Sequence, residues 1–353
     1  MTSLERVAAV LDHQVPDRVP VALHNFLMAS AMTGAGFDEV FRNGEALAEA
    51  ELRAWQEFGH DVIMHENGVC GEAEALGCGI AYHPDIPPHV AEPVIKSFED
   101  VDKLTVPDPE KTFPLNELLK ATRILVRETK GRAFVMGRAD QGPMALAAAL
   151  CGPEKFLLAV MDPDLRPKVW QLCDICSRMN IAFGAAQQRA GAHGTSLGVY
   201  GSSMISPRLF CDLELPRVQR FCLAMCKLGL RTFVHSCGNE TRLLDRLVET
   251  GASCLELDPR TDPGACKRAI HGRVGVLGML EPAHVLGEGT IGQVRAHALE
   301  IMRIMAPGGD FIMGPGCALP GNTPRENIHA VMECARTAGV YSPDGSLPNL
   351  PLA

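Results

Sequence analysis

Eight short apolar runs, each closed by small or polar residues and separated by helix-like stretches, predict an α/β fold, a single (β/α)8 TIM barrel. The runs lie at 18–23, 61–65, 133–137, 195–200, 231–235, 254–258, 274–278 and 310–314. Two further observations favour the barrel over a doubly wound sheet. No Pro/Gly linker divides the alternation midway. The first run passes into Leu23-His24-Asn25-Phe26 without the Gly-rich phosphate turn that such a sheet carries after its first strand.

Between the runs, helical character is found at 45–58, 115–129, 164–188, 215–228, 241–249, 262–269, 290–305 and 324–337. The last stretch opens with Thr323-Pro324-Arg325-Glu326, which reads as an N-cap residue, Pro at the first helical position and Glu at the third. Segment 71–106, with Pro84, Pro87, Pro88 and Pro93, reads as a long irregular insertion. Residues 1–341 are expected to form the barrel domain, and the Pro/Ser/Gly-rich residues 342–353 a frayed, flexible tail.

The 353 residues are enough for a large core, and 46% hydrophobic with 21% charged is ordinary for a soluble enzyme. A net charge of −9 argues against non-specific nucleic-acid binding, which needs a basic footprint. No apolar run approaches the roughly 18–20 residues of a membrane span, and Met1-Thr2-Ser3-Leu4-Glu5-Arg6 does not read as a signal peptide. Thirteen cysteines, odd in number and irregular in spacing, do not make a secreted disulfide framework. The expected location is the reducing cytoplasm, with most thiols serving as small hydrophobes.

Active sites of such barrels lie at the C-terminal ends of the strands. The fifth run ends in His235-Ser236-Cys237-Gly238. Residues i and i+2 of a strand share a face, so an imidazole and a thiol stand side by side there. A third thiol, Cys317, follows the last run in Gly314-Pro315-Gly316-Cys317. Three N/S ligands plus a replaceable carboxylate or water is what an open zinc site takes. Asp258 ends the sixth run and Glu256 shares its face. On the residues alone the alternative stays open: Cys317 as a buried thiol and His235 as a satisfied histidine.

Other features carry less. Cys173-Asp174-Ile175-Cys176 has metal-ligand spacing but lies within a helix among Leu172 and Met179, and reads as core, as do Cys222 and Cys226. His24 and Asn25, His65 and Glu66, Arg138 and Asp140, and Tyr200 end other runs and would ring the same mouth. Of these, His24, Asn25, His65, Asp140 and Tyr200 are the candidates for substrate contact. The plainer reading of each is a loop residue or helix cap.

As a set, the motifs resemble the uroporphyrinogen decarboxylase superfamily. The likeness is carried by Gly142-Pro143, Ile205-Ser206-Pro207, His235-Ser236-Cys237-Gly238, Gly278-Met279-Leu280-Glu281-Pro282 and Gly316-Cys317-Ala318-Leu319-Pro320 with Thr323-Pro324-Arg325-Glu326-Asn327. Leu4-Glu5-Arg6-Val7 and Pro16-Asp17-Arg18-Val19-Pro20 extend it to nearly the whole chain. The resemblance implies a (β/α)8 barrel. It also implies one of two chemistries. Decarboxylases of the family are metal-free and use an arginine-rich segment after the first strand, whereas this chain has no arginine between Arg18 and Arg42. The corrinoid-dependent methyltransferase branch keeps His-x-Cys and a distant Cys as zinc ligands, here His235, Cys237 and Cys317. In that branch a carboxylate near the end of the sixth strand completes the shell, with Asp258 fitting best and Glu256 as the alternative.

The implied activity is zinc-assisted methyl transfer between a small thiol or methoxylated compound and the cobalt of a corrinoid (methylcobamide) on a separate protein. Two rivals stand beside it: a metal-free carboxy-lyase using Asp258 or Asp140 to stabilise a protonated intermediate, and a non-catalytic corrinoid- or ligand-binding barrel. Two departures bear on substrate choice. The family's usual Gly-Asn-Leu-Asp-Pro is Gly278-Met279-Leu280-Glu281-Pro282, and a fourth-strand Asp of relatives is replaced by Tyr200-Gly201-Ser202-Ser203.

Overall fold

The computed structural model describes residues 1–66, 68–201 and 203–351. Each predicted run overlaps a strand: β1 Ala22–Leu23, β2 Val62–Met64, β3 Phe134–Gln141, β4 Gly194–Val199, β5 Arg231–Ser236, β6 Cys254–Leu257, β7 Gly275–Leu280 and β8 Phe311–Pro315. The eight pair in chain order, all parallel. A parallel bridge between Val21 and Met313, with Met313 N donating to Pro20 O at 2.9 Å, closes the ring. Closure removes the sheet edges that would otherwise leave backbone groups unpaired.

The two-residue period of the strands sorts the side chains. Ala22, Val62, Met64, Phe134, Met136, Phe233, Cys254, Leu277 and Ile312 form one buried cluster inside the barrel. Val7, Val10 and Leu11 of helix Ser3–Leu11 join it, so this helix plugs the N-terminal end. Thr2 and Glu5 start that helix with reciprocal cap bonds. Below the barrel, fully buried Asp61 accepts from Arg6 Nη1 at 2.7 Å, Arg18 Nη1 at 2.9 Å and Val21 N at 2.8 Å. The N-terminal motifs Leu4–Val7 and Pro16–Pro20 therefore build the floor, far from the strand ends where chemistry occurs.

Outer helices occupy the predicted stretches at Gly44–Phe58, Leu115–Thr129, Arg166–Arg189, Leu215–Lys227, Leu244–Val248, Pro263–Ile270, Ile291–Met305 and Arg325–Thr337. Three expectations need correction or addition. Segment 71–106 is not irregular: it holds helix Gly71–Ala75, an antiparallel pair Gly79–Ala81 with His89–Glu92, and a 3-10 turn Phe98–Lys103, pinned by buried Ile95, Phe98 and Val101. Thr323 does not cap the last helix, because its hydroxyl donates to Pro320 O at 2.7 Å within the preceding turn, and Pro324 takes the cap position. Helices Phe26–Thr33, Pro143–Cys151 and Pro153–Met161 were not anticipated. Residues 342–351 lie against the barrel through Gly308 N to Gly345 O at 3.1 Å and Arg303 Nη2 to Pro351 O at 2.8 Å. Among the described residues no single helix is long and apolar enough to cross a membrane.

Candidate metal centre and active site

Along four strands the inward-facing residues change from apolar at the floor to ionisable at the mouth: Val62-Met64-Glu66, Phe134-Met136-Arg138, Phe233-His235-Cys237 and Cys254-Glu256-Asp258. Strand β5 delivers His235 and, just past its end, Cys237, while Cys317 arrives two residues after β8. One ligand atom from each lies within 4.8 Å of the others. His235 Nε2 is 2.9 Å from Cys237 Sγ, and the two sulfurs are 3.8 Å apart. Tetrahedral zinc with metal–sulfur bonds of about 2.3 Å sets two thiolates roughly 3.8 Å apart, so the sulfur spacing fits such an ion.

Close backbone packing makes this convergence possible. A Cβ on Gly316 would stand 2.4 Å from Pro259 Cδ, 2.8 Å from Leu257 O and 2.9 Å from Asp258 Cα. Only glycine lets the segment carrying Cys317 pass so close to the end of β6. The charges of the trio are interdependent. Its bond with Cys237, then contact with His235, pulls the Cys317 thiol well below the usual range, and the same bond pushes Cys237 up. Burial works against a proton on His235, but Cys317 and Glu256 outweigh it and the imidazole is raised. An imidazole with two thiols, one of them biased toward the thiolate, is a donor set that a soft divalent metal takes on losing the remaining protons.

Neither carboxylate expected as a fourth ligand belongs to the trio. Asp258 accepts from Arg260 Nε at 3.0 Å, Arg260 Nη2 at 2.8 Å, Arg260 N at 2.9 Å and Gly238 N at 3.0 Å. Burial opposes its charge, yet Arg260 holds it below the ordinary carboxylate value. Asp258 therefore clamps the left-handed turn at Gly238 directly after Cys237. Glu256 stands behind His235, with Oε2 at 3.6 Å from Nδ1.

The cluster opens into a cavity of about 820 Å³, and Cys237 is exposed to it. Of the five residues expected to contact substrate, His24 and Tyr200 line this cavity. His65 turns outward and places Nε2 2.9 Å from Thr122 Oγ1 on helix Leu115–Thr129, where burial pushes its pKa down to about 4. Asn25 is fully buried outside the cavity lining. Strand alternation explains both: Ala22 and His24, like Val62, Met64 and Glu66, point inward, so Asn25 and His65 point out. Asp140 has inward parity, but the register of β3 shifts between Arg138 and Gln141 and its φ is 40°, which turns it to a small void shared with Glu66 and Glu72. Burial, then Glu66, raises its carboxyl.

Three charged lining residues were not among the expected substrate contacts: Glu66, Arg138 and Arg260. Parity along β2 and β3 was the signal for the first two. Arg260 lies in the loop after β6, where no period reaches. Glu66 Oε2 is 3.1 Å from His24 Nε2 and 2.5 Å from Arg138 Nε.

A parallel barrel with one histidine and two cysteines converging at its mouth defines a class of enzyme scaffold, and sequence comparison then specifies it. The uroporphyrinogen decarboxylase (URO-D) family model matches residues 2–338, and the chain belongs to that family. It is 27% identical over 346 residues, 95% of this chain and 98% of the relative, to the methylcobamide:CoM methyltransferase MtbA of Methanosarcina acetivorans. It is 24% identical over 306 residues, 84% of this chain and 82% of the relative, to the uroporphyrinogen decarboxylase of Coxiella burnetii. Among solved structures, a methyltransferase from Methanosarcina mazei superposes with a TM-score of 0.86 at 23% identity, covering 95% of this chain and 98% of the other.

Proposed function

We propose that this chain transfers a methyl group between a small thiol and the cobalt of a corrinoid carried by a separate protein, with zinc held by His235, Cys237 and Cys317. The convergence of those three ligand atoms within 4.8 Å, at the edge of an open cavity, carries the reading. Bound zinc would supply Lewis acidity, lowering the pKa of a coordinated thiol so that it is a thiolate at neutral pH. Two cysteine thiolates in the donor set reduce the net positive charge there and leave a bound substrate sulfur nucleophilic. That favours a thiol over a methoxylated compound.

The remaining parts fit the same task. Glu256 lies behind the Nδ1 side of His235, which leaves Nε2 for the metal. Val69, Ile86 and Met204 are 42%, 55% and 50% exposed yet line the cavity, an apolar rim suited to the flat face of a corrinoid. Ile86 belongs to the segment 71–106, so that segment contributes to the docking surface. For the decarboxylase alternative, the two arginines that line the cavity among the described residues are already paired, Arg138 with Glu66 and Glu256, and Arg260 with Asp258. All thirteen cysteines are unpaired, which supports a reducing compartment such as the cytoplasm.

Metal analysis joined to a turnover assay tests the reading. Purified protein should carry one zinc per chain and demethylate methylcobalamin in the presence of coenzyme M or 2-mercaptoethanol, followed by the absorbance change at cobalt. Zinc-free protein that decarboxylates uroporphyrinogen would overturn it.

A further inference from the structure

One buried guanidinium joins the two histidines of the cavity. Arg138 is 4% exposed and lies among three carboxylates that are just as deeply buried, Glu66 at 3%, Glu256 at 2% and Asp140 at 4%, the last with Oδ1 3.6 Å from Nε. The same Nε is 2.5 Å from Glu66 Oε2, and Arg138 Nη1 is 3.5 Å from Glu256 Oε2. Glu66 and Glu256 each face one imidazole in turn. Glu66 Oε2 is 3.1 Å from His24 Nε2, and Glu256 Oε2 is 3.6 Å from His235 Nδ1. The two rings meet edge to face with centroids 6.2 Å apart. His24, Glu66, Arg138, Glu256 and His235 therefore form one chain of contacts that starts and ends on the cavity.

We propose that Arg138 is a positioning residue that sets both ends of this chain at once: through Glu256 the ring of the metal ligand His235, and through Glu66 the ring of His24 on the facing wall. The proposal rests on the metal reading of His235, Cys237 and Cys317 given above. The physical argument is one of shape and charge. Carboxyl groups buried this far need a cation or hydrogen-bond donor to offset their loss of water. A guanidinium is planar and presents nitrogens on separate edges, so it can engage two carboxylates in different directions. A lysine ammonium is a single point charge on a flexible stem, so it holds neither carboxylate in the fixed direction that the planar fork imposes. The contacts with Met64 Sδ at 3.1 Å and Ser196 Oγ at 3.4 Å keep Nη1 in place from the floor side. Carboxylates behind a ligating histidine fix its tautomer and orientation, and losing one typically lowers metal affinity by about 10- to 100-fold.

Three single variants separate this coupling from a general structural role. Zinc affinity is measured by competition with a chelator, Co²⁺ substitution reports ligand geometry by absorption, and ¹⁵N NMR of the rings reports the His24 tautomer. Glu256→Gln should weaken zinc binding by about 10- to 100-fold and leave the His24 tautomer at its wild-type position. Glu66→Gln should release His24 from the Nε2–H form while zinc affinity stays at the wild-type value. Arg138→Lys should do both together. The combination of Arg138→Lys with Glu256→Gln should weaken zinc no further than the stronger single change, because both act along one arm.

If Arg138→Lys does not fold, Arg138→Gln, which keeps a planar donor but loses the charge and the second edge while Glu66 and Glu256 stay in place, should show both defects. Arg138→Lys that folds and alters only one arm, or neither, overturns the proposal, as do additive effects on zinc affinity. Wild-type protein that binds no zinc in the competition titration instead overturns the metal reading and, with it, the His235 arm. The tautomer measurement then still decides the His24 arm.

Discussion

The sulfurs of Cys237 and Cys317 come within 3.8 Å of each other across a separation of 80 residues. Parallel closure of the barrel makes them neighbours, because it fans the C-terminal ends of all eight strands around one mouth. A metal site assembled from two such loops depends on both. Cys317→Ser should leave zinc at trace levels after dialysis while the far-ultraviolet circular dichroism is unchanged. Cys173→Ser is the control, since Cys173 is fully buried in helix Arg166–Arg189 and should leave zinc content untouched. Equal zinc loss from both variants would refute the assignment.

The approach of the Cys317 loop to β6 predicts a second defect. In Gly316→Ala the new methyl would meet Pro259 Cδ at 2.4 Å and the Leu257 carbonyl at 2.8 Å, and backbone cannot yield as a flexible side chain can. The loop must shift outward, at a cost of about 1–3 kcal/mol, carrying Cys317 away from its partners. Zinc affinity and melting temperature should fall together. A Gly316→Ala protein with wild-type zinc affinity would show that the loop has slack.

Asp258 offers a test of the ligand shell. Its four donors come from Arg260 and Gly238, so Asp258→Asn should leave the absorption spectrum of the Co²⁺-substituted protein unchanged. Stability should drop by about 1.5 kcal/mol, the low end for hydrogen bonds to a charged group, because Arg260 is largely solvated. A spectral change would return Asp258 to the metal as the fourth ligand that family resemblance suggests.

How much was legible beforehand follows from the physics of each feature. Every barrel strand was found because apolar runs ending in polar residues recur eight times, and the pairing of His235 with Cys237 because they occupy alternate positions on one strand, whereas the short antiparallel pair in 71–106 was missed. The choice between Glu66 and His65, or between His24 and Asn25, was also encoded, in parity with Val62-Met64 and with Ala22. Helix Ser3–Leu11 is amphipathic, but its burial depends on the barrel floor that exists only after closure. Asp140 defeated parity because a register shift in β3, with φ at 40°, reorients it, and such a shift has no reliable sequence mark. The pairing of Asp258 with Arg260 was not legible, because Arg260 lies two residues on in a loop, where side-chain direction is set by tertiary contacts.

Stability should also carry a pH signature unrelated to the proposed metal site. Glu51 lies fully buried in helix Gly44–Phe58, and neither carboxyl oxygen has a hydrogen-bond partner among the described residues. Burial first, and the charge of Glu66 second, raise its pKa from 4.5 to about 8. Between those values the folded protein keeps the proton that the unfolded chain has already released. Stability is therefore greatest at or below the unfolded value and declines as pH rises toward the folded one. The full span of the shift corresponds to a loss on the order of 4 to 5 kcal/mol. Denaturant midpoints measured from pH 5 to pH 8.5 should fall in the wild type, whereas Glu51→Gln, which cannot ionise, should flatten that part of the profile. Parallel slopes for the two proteins would mean that Glu51 is ionised in the fold, with a partner such as ordered water to hold its charge.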